Sequence, residues 1–306
     1  MLFSEIQEGN SMIYDVIVVG GSYAGVSAAM QLARARRSVL VIDAAQRRNR
    51  FAATSHGFLG QDGNSPDAIA DQARRQLLAY PSVTWHDASA VAAEKQADVI
   101  SIATNDGLTF NARRLILASG VTDELPDIPG LAERWGRQVF HCPYCHGYEL
   151  DKGNIGVLAS SPLAIHQALM LPDWGATTLF LNGAFQPDAE QSEKLAQRGV
   201  LLEQEQVVSI GGERLEVTLA SGHVITLAGL FVQPRTHLNN PLIKQLGLAV
   251  ESGPLGDFLT VDQMRETSVA GVFACGDAAV AAGNVAIAVG DGARTGGAAH
   301  QSLIFR

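Results

Sequence analysis

The chain is poor in cysteine, with three among 306 residues. That scarcity leaves no second C-x-x-C pair from which to build an ordinary zinc site. Charged residues are also sparse, at 17% against 47% hydrophobic, and this balance excludes a disordered polymer. Basic residues are in deficit, 22 against 31 acidic, for a net charge of −9. A surplus of that sign argues against nonspecific nucleic-acid binding and against anionic membranes. No apolar run approaches the roughly 18 to 20 residues that a membrane helix needs. Met1 to Ser11 lacks the basic flank and apolar core of a signal peptide and reads as a disordered extension, with Met12 a candidate alternative start. An odd, low cysteine count without an export signal suits the reducing cytoplasm.

Against that background, two of the three cysteines fall in one heptapeptide, His141-Cys142-Pro143-Tyr144-Cys145-His146-Gly147. Thiols separated by two residues can close a small disulfide, and unpaired N–H groups at a helix start stabilise a thiolate. Two other readings remain open here: half of a zinc site completed by His141 and His146, or a pair of buried structural cysteines. The lone Cys275 reads as a small core residue.

The first strongly apolar stretch, Asp15-Val16-Ile17-Val18-Val19, runs into Gly20-Gly21-Ser22-Tyr23-Ala24-Gly25, an Ala-rich segment and a second strand ending at Asp43. Strand, tight turn, helix and strand follow from that pattern. Gly20, Ser22 and Gly25 hold the three positions of G-x-G-x-x-G, with serine in the middle place. Asp43, at the second strand end, is placed to accept hydrogen bonds from an adenosine ribose. Residues 46–64 read as a long polar loop containing Arg47, Arg48, Arg50 and His56. A helix is expected over 67–80, a strand and turn over 83–94, and strand-like segments over 108–110 and 115–120, the last ending in Ser119-Gly120. A second strand–helix–strand pattern spans 154–181, with further strands near 215–219 and 227–232. The sequence closes with an apolar strand running into Cys275-Gly276-Asp277 and a small-residue helix from about Asn284.

In this order, the Gly20 fingerprint, Ser119-Gly120, Cys142-Pro143-Tyr144-Cys145 and Gly276-Asp277 resemble the low-molecular-weight thioredoxin reductase family of flavoproteins, from Tyr14 onward. The resemblance implies an α/β fold with two dinucleotide-binding domains. A discontinuous FAD domain, 12–122 plus 237–306, would carry an inserted domain, 123–236, with the cysteines and a degenerate NADPH-type unit. It implies FAD held by Gly20, Gly21, Ser22, Ala24, Gly25, Asp43, Ser119, Gly120, Gly276 and Asp277, with the helix start at Val285-Ala286 facing the flavin. It further implies Cys145 as the charge-transfer thiolate, Cys142 as the interchange thiol, and a homodimer.

The second phosphate turn departs from that family. It reads Ala159-Ser160-Ser161-Pro162-Leu163-Ala164, without a glycine, and Asn182-Gly183-Ala184 follows the next strand where arginines for a 2′-phosphate belong. NADPH binding is therefore not expected. A degenerate nicotinamide unit and Cys-Pro-aromatic-Cys-His-Gly are similar to the dithiol oxidases of the gliotoxin and holomycin type. That likeness implies oxidation of a small dithiol or thioredoxin-like protein, with electrons passing to FAD and then to O2 or a protein carrier. His146, at an ordinary pKa near 6.5, is expected to act as the base. The competing readings are a reductase fed by a ferredoxin-type donor, an NADPH-dependent thioredoxin reductase, and a flavin redox sensor with little turnover. No metal, nucleic acid or membrane is expected as a partner.

Overall fold

The computed structural model describes residues 12–306, so the expected N-terminal extension lies outside the described residues. The described residues divide into two compact units, 12–48 with 67–122 and 236–306, and 49–66 with 123–235. Residues 49–66 pack within the second unit.

In the first unit, strand Ile13–Val19 lies between Val39–Asp43 and Thr109–Leu117, parallel to both. Val83–Asp87 extends the sheet on one side. On the other, Val272–Ala274 pairs with Leu115–Leu117. The central β-branched runs are fully buried, with Val16 to Val18, Val39 to Val41 and Leu115 to Leu117 at 0% exposure, as parallel strands covered on both faces require. Where the sequence suggests two short strands over 108–120, one strand, Thr109–Leu117, is present. Its first half is polar because it pairs antiparallel with Val99–Thr104, a strand that the apolar pattern did not mark.

Helix Tyr23–Arg34 covers one face and packs on the helix Val285–Phe305. Their approach depends on missing side chains. A Cβ at Gly292 would lie 2.9 Å from the Ala24 Cα, and one at Gly296 would lie 2.9 Å from the Ala28 Cα. The Ser27 hydroxyl donates to the Val289 carbonyl at 2.7 Å and pins the same seam. Leu32, fully buried beside it, is the kind of core residue whose truncation to alanine costs about 2 to 5 kcal/mol.

The second unit has a five-stranded parallel sheet in the order Leu201–Glu203, Gly175–Phe180, Lys152–Leu158, Gly229–Val232, Val139–Phe140. Of the two later strands expected here, Gly229–Val232 joins that sheet, whereas Leu215–Leu219 is the middle of a separate antiparallel sheet with Val207–Gly211 and Val224–Leu227. The edge strand Val139–Phe140 leads directly into the cysteines. Loop 49–66 closes on itself through Ser55 N–H to Asn64 carbonyl and Gly63 N–H to Ser55 carbonyl bonds of 2.8 and 3.0 Å. Its Phe51 packs on Gly136, where a Cβ would lie 2.8 Å from the Phe51 Cβ.

Candidate active site, a glycine cradle and a redox turn

The cradle is assembled wholly within the first unit, at the carboxyl ends of adjacent parallel strands. Backbone bonds from Gly20 N–H to the Ile42 carbonyl (2.8 Å), from Ala118 N–H to the Val19 carbonyl (2.8 Å) and from Cys275 N–H to the Leu117 carbonyl (3.0 Å) bring Gly20, Asp43, Ser119 and Gly276 to one sheet edge. Gly20 adopts φ +106°, and any Cβ there would run into the Ala118 carbonyl. A Cβ at Gly25 would collide with the Gly20 carbonyl oxygen, so the helix starts against the strand only because both are glycine. Gly21 donates its N–H to Asp43 Oδ1 at 3.0 Å, and its missing side chain leaves room for the Trp85 indole. Ser22, the departure from the glycine pattern, is the N-cap of the helix with extended backbone and makes no side-chain cap bond. Gly276, at φ +67°, comes against Ala24, whose Cβ would be 2.8 Å from an added Cβ.

Asp277 is fixed from two sides. Arg48 donates to its Oδ2 at 2.8 Å, and Gly283 passes so close that an added Cβ would sit 2.7 Å from Oδ1. Beneath the turn, Asp291 accepts from Gly276 N–H at 2.9 Å and from Arg265 at 2.6 Å, a pair whose side chains are each 11% exposed. The helix beginning at Val285 is capped by the Asn284 side chain, which accepts from Ile287 N–H at 2.9 Å. Val285 is half-buried and Ala286 exposed, so this positive helix end is open to a ligand. The strand-end acid, the glycine cradle that a Cβ would fill and the exposed helix N-terminus fit a dinucleotide such as FAD. Trp85 and Arg48 were not marked by the motif, because each reaches the cradle from a different strand or loop.

The redox turn belongs to the second unit. Cys142 and Cys145 form a disulfide with Cα atoms 5.3 Å apart, which settles the open alternatives for this pair in favour of a bonded couple. Cys142 is the extended N-cap of a short helix, Pro143–His146, whose first position is proline, the residue that loses nothing where no N–H partner exists. Gly147 then fits against Trp174, since a Cβ would lie 2.8 Å from its Cγ and 2.7 Å from the Pro143 carbonyl oxygen. Tyr144 is exposed and meets Trp174 edge-on at 5.4 Å.

His146 stacks on Phe140 with ring centroids 4.3 Å apart. Burial in that apolar setting, with a smaller contribution from nearby His56, lowers its pKa to about 4. The expectation of an ordinary histidine titrating near neutrality is thus corrected: the ring stays neutral because its charged form would be desolvated. His141 stacks on Trp135 at 5.8 Å, and the buried Gln167 donates to the His141 carbonyl at 2.7 Å. Cys275 is fully buried in the first unit, and burial pushes its thiol up to about 12. Among the described residues, no group of three or more His, Cys, Asp or Glu side chains is arranged to hold a metal ion. Among the same residues, no helix is long and apolar enough to cross a membrane.

A dinucleotide cradle on one unit and a redox disulfide on the other define a disulfide oxidoreductase of the flavoprotein kind. The chain belongs to the pyridine nucleotide-disulphide oxidoreductase family, whose model matches residues 14–292. Thioredoxin reductase tcpT of Claviceps purpurea is 32% identical over 308 residues, covering 96% of this chain and 95% of its own length. The crystal structure of an oxidoreductase from Agrobacterium tumefaciens superposes with a TM-score of 0.94 at 55% identity, over 96% of this chain and 99% of that one. That of HlmI does so with a TM-score of 0.88 at 34% identity, over 96% and 94%. The expected thioredoxin-reductase-like fold is therefore present, and family membership implies FAD as the prosthetic group.

Proposed function

We propose that the chain oxidises a dithiol to a disulfide through Cys142–Cys145, with FAD and O2 as successive electron acceptors and without NADPH. The observation that carries this reading is the second strand-to-helix turn. Its helix, Ala164–Met170, begins with N–H groups already engaged: Ala164 with the Ser161 carbonyl (3.1 Å), Ile165 with Pro162 (3.2 Å) and His166 with Leu163 (3.1 Å). The Ser160 hydroxyl is turned to the Gln233 carbonyl at 3.1 Å. At the next strand end, Asn182 spends its side chain on Val207 N–H at 2.9 Å. A pyrophosphate needs backbone donors at the helix start, where these three are spent on the turn's own carbonyls, and a 2′-phosphate needs cations, whereas no Lys or Arg lies between Gly175 and Glu193.

One substrate thiolate attacks Cys142 Sγ; a mixed disulfide forms, the Cys142–Cys145 bond breaks and Cys145 leaves as a thiolate. The second substrate sulfur then attacks the first, giving the product disulfide and the Cys142 thiolate. Two substrate protons are released, and neutral His146, adjacent to Cys145, is a ready hydrogen-bond acceptor for them. FAD, which the Gly20 to Gly25 cradle and the helix start at Val285 would hold, would supply the acceptor for the electron pair of the reduced cysteines, with O2 as the terminal oxidant. The reading takes a small dithiol as substrate and a cytoplasmic homodimer as the working form.

The test is an anaerobic visible spectrum of the holoprotein, titrated separately with NADPH and with dithiothreitol. Bleaching by the dithiol alone, reversed by air, is the expected result. Bleaching by NADPH would overturn the reading, and reduction only by a ferredoxin would redirect it to a carrier-fed reductase.

A further inference from the structure

Helix Ala164–Met170 buries four residues, and three of them, Ala164, Ile165 and Ala168, are apolar. The fourth is Gln167, at 4% exposure. Its Nε2 donates to the His141 carbonyl at 2.7 Å and lies 3.4 Å from Gln233 Oε1. A carbonyl only accepts, so the amide nitrogen has to face His141 and the amide oxygen points away. That oxygen is buried and has no hydrogen-bond partner among the described residues. An orphaned acceptor is a cost that leucine or methionine at the same position would not carry. Packing therefore gives no reason for glutamine here; what the position supplies is a donor.

The His141 carbonyl belongs to the peptide that enters Cys142, directly after the edge strand Val139–Phe140. The redox turn is held at its entry by Gln167 and by the His141 ring on Trp135, and at its exit by Gly147 against Trp174. Gln167 is itself tied to the second strand-to-helix turn. Gln233 offers its side-chain oxygen to Gln167 and its backbone carbonyl to the Ser160 hydroxyl at 3.1 Å.

We propose that Gln167 is a positioning residue for the redox couple, and that the strand and helix of 152–170 serve as the scaffold that fixes Cys142 beside Cys145. The inference rests on Cys142–Cys145 being the working couple of the proposed dithiol chemistry, but not on the direction of electron flow. Once the disulfide is open, a fixed His141 peptide restricts the drift of Cys142 away from Cys145. That raises the effective concentration of one thiol toward the other and favours the bonded form. Without the Gln167 donor the reduced turn gains freedom, and the disulfide becomes easier to open.

The experiment is an equilibrium titration of the couple. Holoprotein is held without oxygen at neutral pH in mixtures of reduced and oxidised dithiothreitol, acid-quenched and alkylated with N-ethylmaleimide. Alkylated Cys142 and Cys145 are counted by peptide mass, and the flavin is read by its visible absorbance. Dithiothreitol gives up two electrons and two protons and closes to its cyclic disulfide, while the Cys142–Cys145 bond takes them and opens to two thiols. Gln167→Met keeps the side-chain length and removes the donor. Half-opening is then expected at a reduced-to-oxidised ratio about tenfold below that of wild type, equivalent to about 30 mV and on the scale of one net hydrogen bond. The flavin midpoint is expected to stay in place. Gln233→Ala, at a half-buried residue, removes a partner of Gln167 and is expected to move the cysteine midpoint about two- to threefold in the same direction, since the bond it deletes is long. It decides the matter if Gln167→Met folds poorly. Unchanged cysteine midpoints in every variant that folds, a shift toward higher ratios, or an equal shift of the flavin midpoint would each overturn the proposal. Neither O2 nor NADPH takes part, so bleaching by NADPH would defeat the oxidase reading and leave a Gln167-dependent midpoint standing.

Discussion

Replacing His146 with phenylalanine keeps the ring stacked on Phe140 and removes only the titrating nitrogens. The wild-type ring has a folded pKa of about 4 against 6.5 for the ordinary side chain. Because the folded value is depressed, the unfolded chain binds more protons between those two pH values, and stability falls as pH drops through that window. Above pH 6.5 both states are neutral and the residue contributes no pH dependence. At pH 4.5 the penalty is on the order of 2 to 3 kcal/mol, from proton uptake at 1.36 kcal/mol per pKa unit. Urea unfolding of wild type and His146→Phe at pH 7.5 and 4.5 measures it. Carboxylates elsewhere lower the stability of both proteins at acid pH, so the quantity of interest is the difference between their losses. The wild type is expected to lose roughly 2 to 3 kcal/mol more than the variant. Equal losses would show that His146 ionises freely and that the stacked, desolvated environment assigned to it is wrong.

Further outcomes follow from the same geometry. Gly25→Val places a branched side chain on the Gly20 carbonyl and should weaken FAD retention by about 30- to 100-fold, equivalent to 2 to 3 kcal/mol, as read by fluorescence titration of released flavin. Asp291→Ala leaves Arg265 unpaired below the Gly276 turn and should cost about 3 to 5 kcal/mol of stability in chemical unfolding. Gly147→Ala forces the redox turn off Trp174 and should destabilise the protein by about 1 to 3 kcal/mol, visible as a lower Tm at unchanged flavin content. In the reduced native protein, maleimide should label Cys142 and Cys145 and spare Cys275, whose thiol is buried and pushed up to about 12; rapid labelling of all three would contradict that burial.

Much of the architecture was legible because close packing leaves signatures in residue type. Gly20 and Gly25 are glycine for steric reasons that any strand-to-helix phosphate turn shares, and the buried run from Val16 to Val19 announces a parallel strand. Cys142-Pro143-Tyr144-Cys145 likewise carries its chemistry locally. What escaped was every effect created by distant segments. Val99–Thr104 and the first half of Thr109–Leu117 alternate weakly because they are half-covered meander strands, so they lack a continuous apolar run. The association of 49–66 with the second unit depends on Phe51 meeting Gly136, a contact invisible to periodicity. The depressed pKa of His146 depends on Phe140 and His56, which no spacing rule connects to it.

The seam between helices Tyr23–Arg34 and Val285–Phe305 also sets a timetable for synthesis. Ser27 and Val289, which share a hydrogen bond, are 262 residues apart. At roughly 5 to 20 residues per second, a ribosome needs on the order of tens of seconds between the two. The nascent N-terminal strand and helix therefore wait with their small-residue face uncovered while the stretch 123–235 emerges and can collapse on its own. Flavin capture becomes one of the last events in the life of the nascent chain, and slowed elongation late in translation would lengthen exposure of that face to chaperones and proteases.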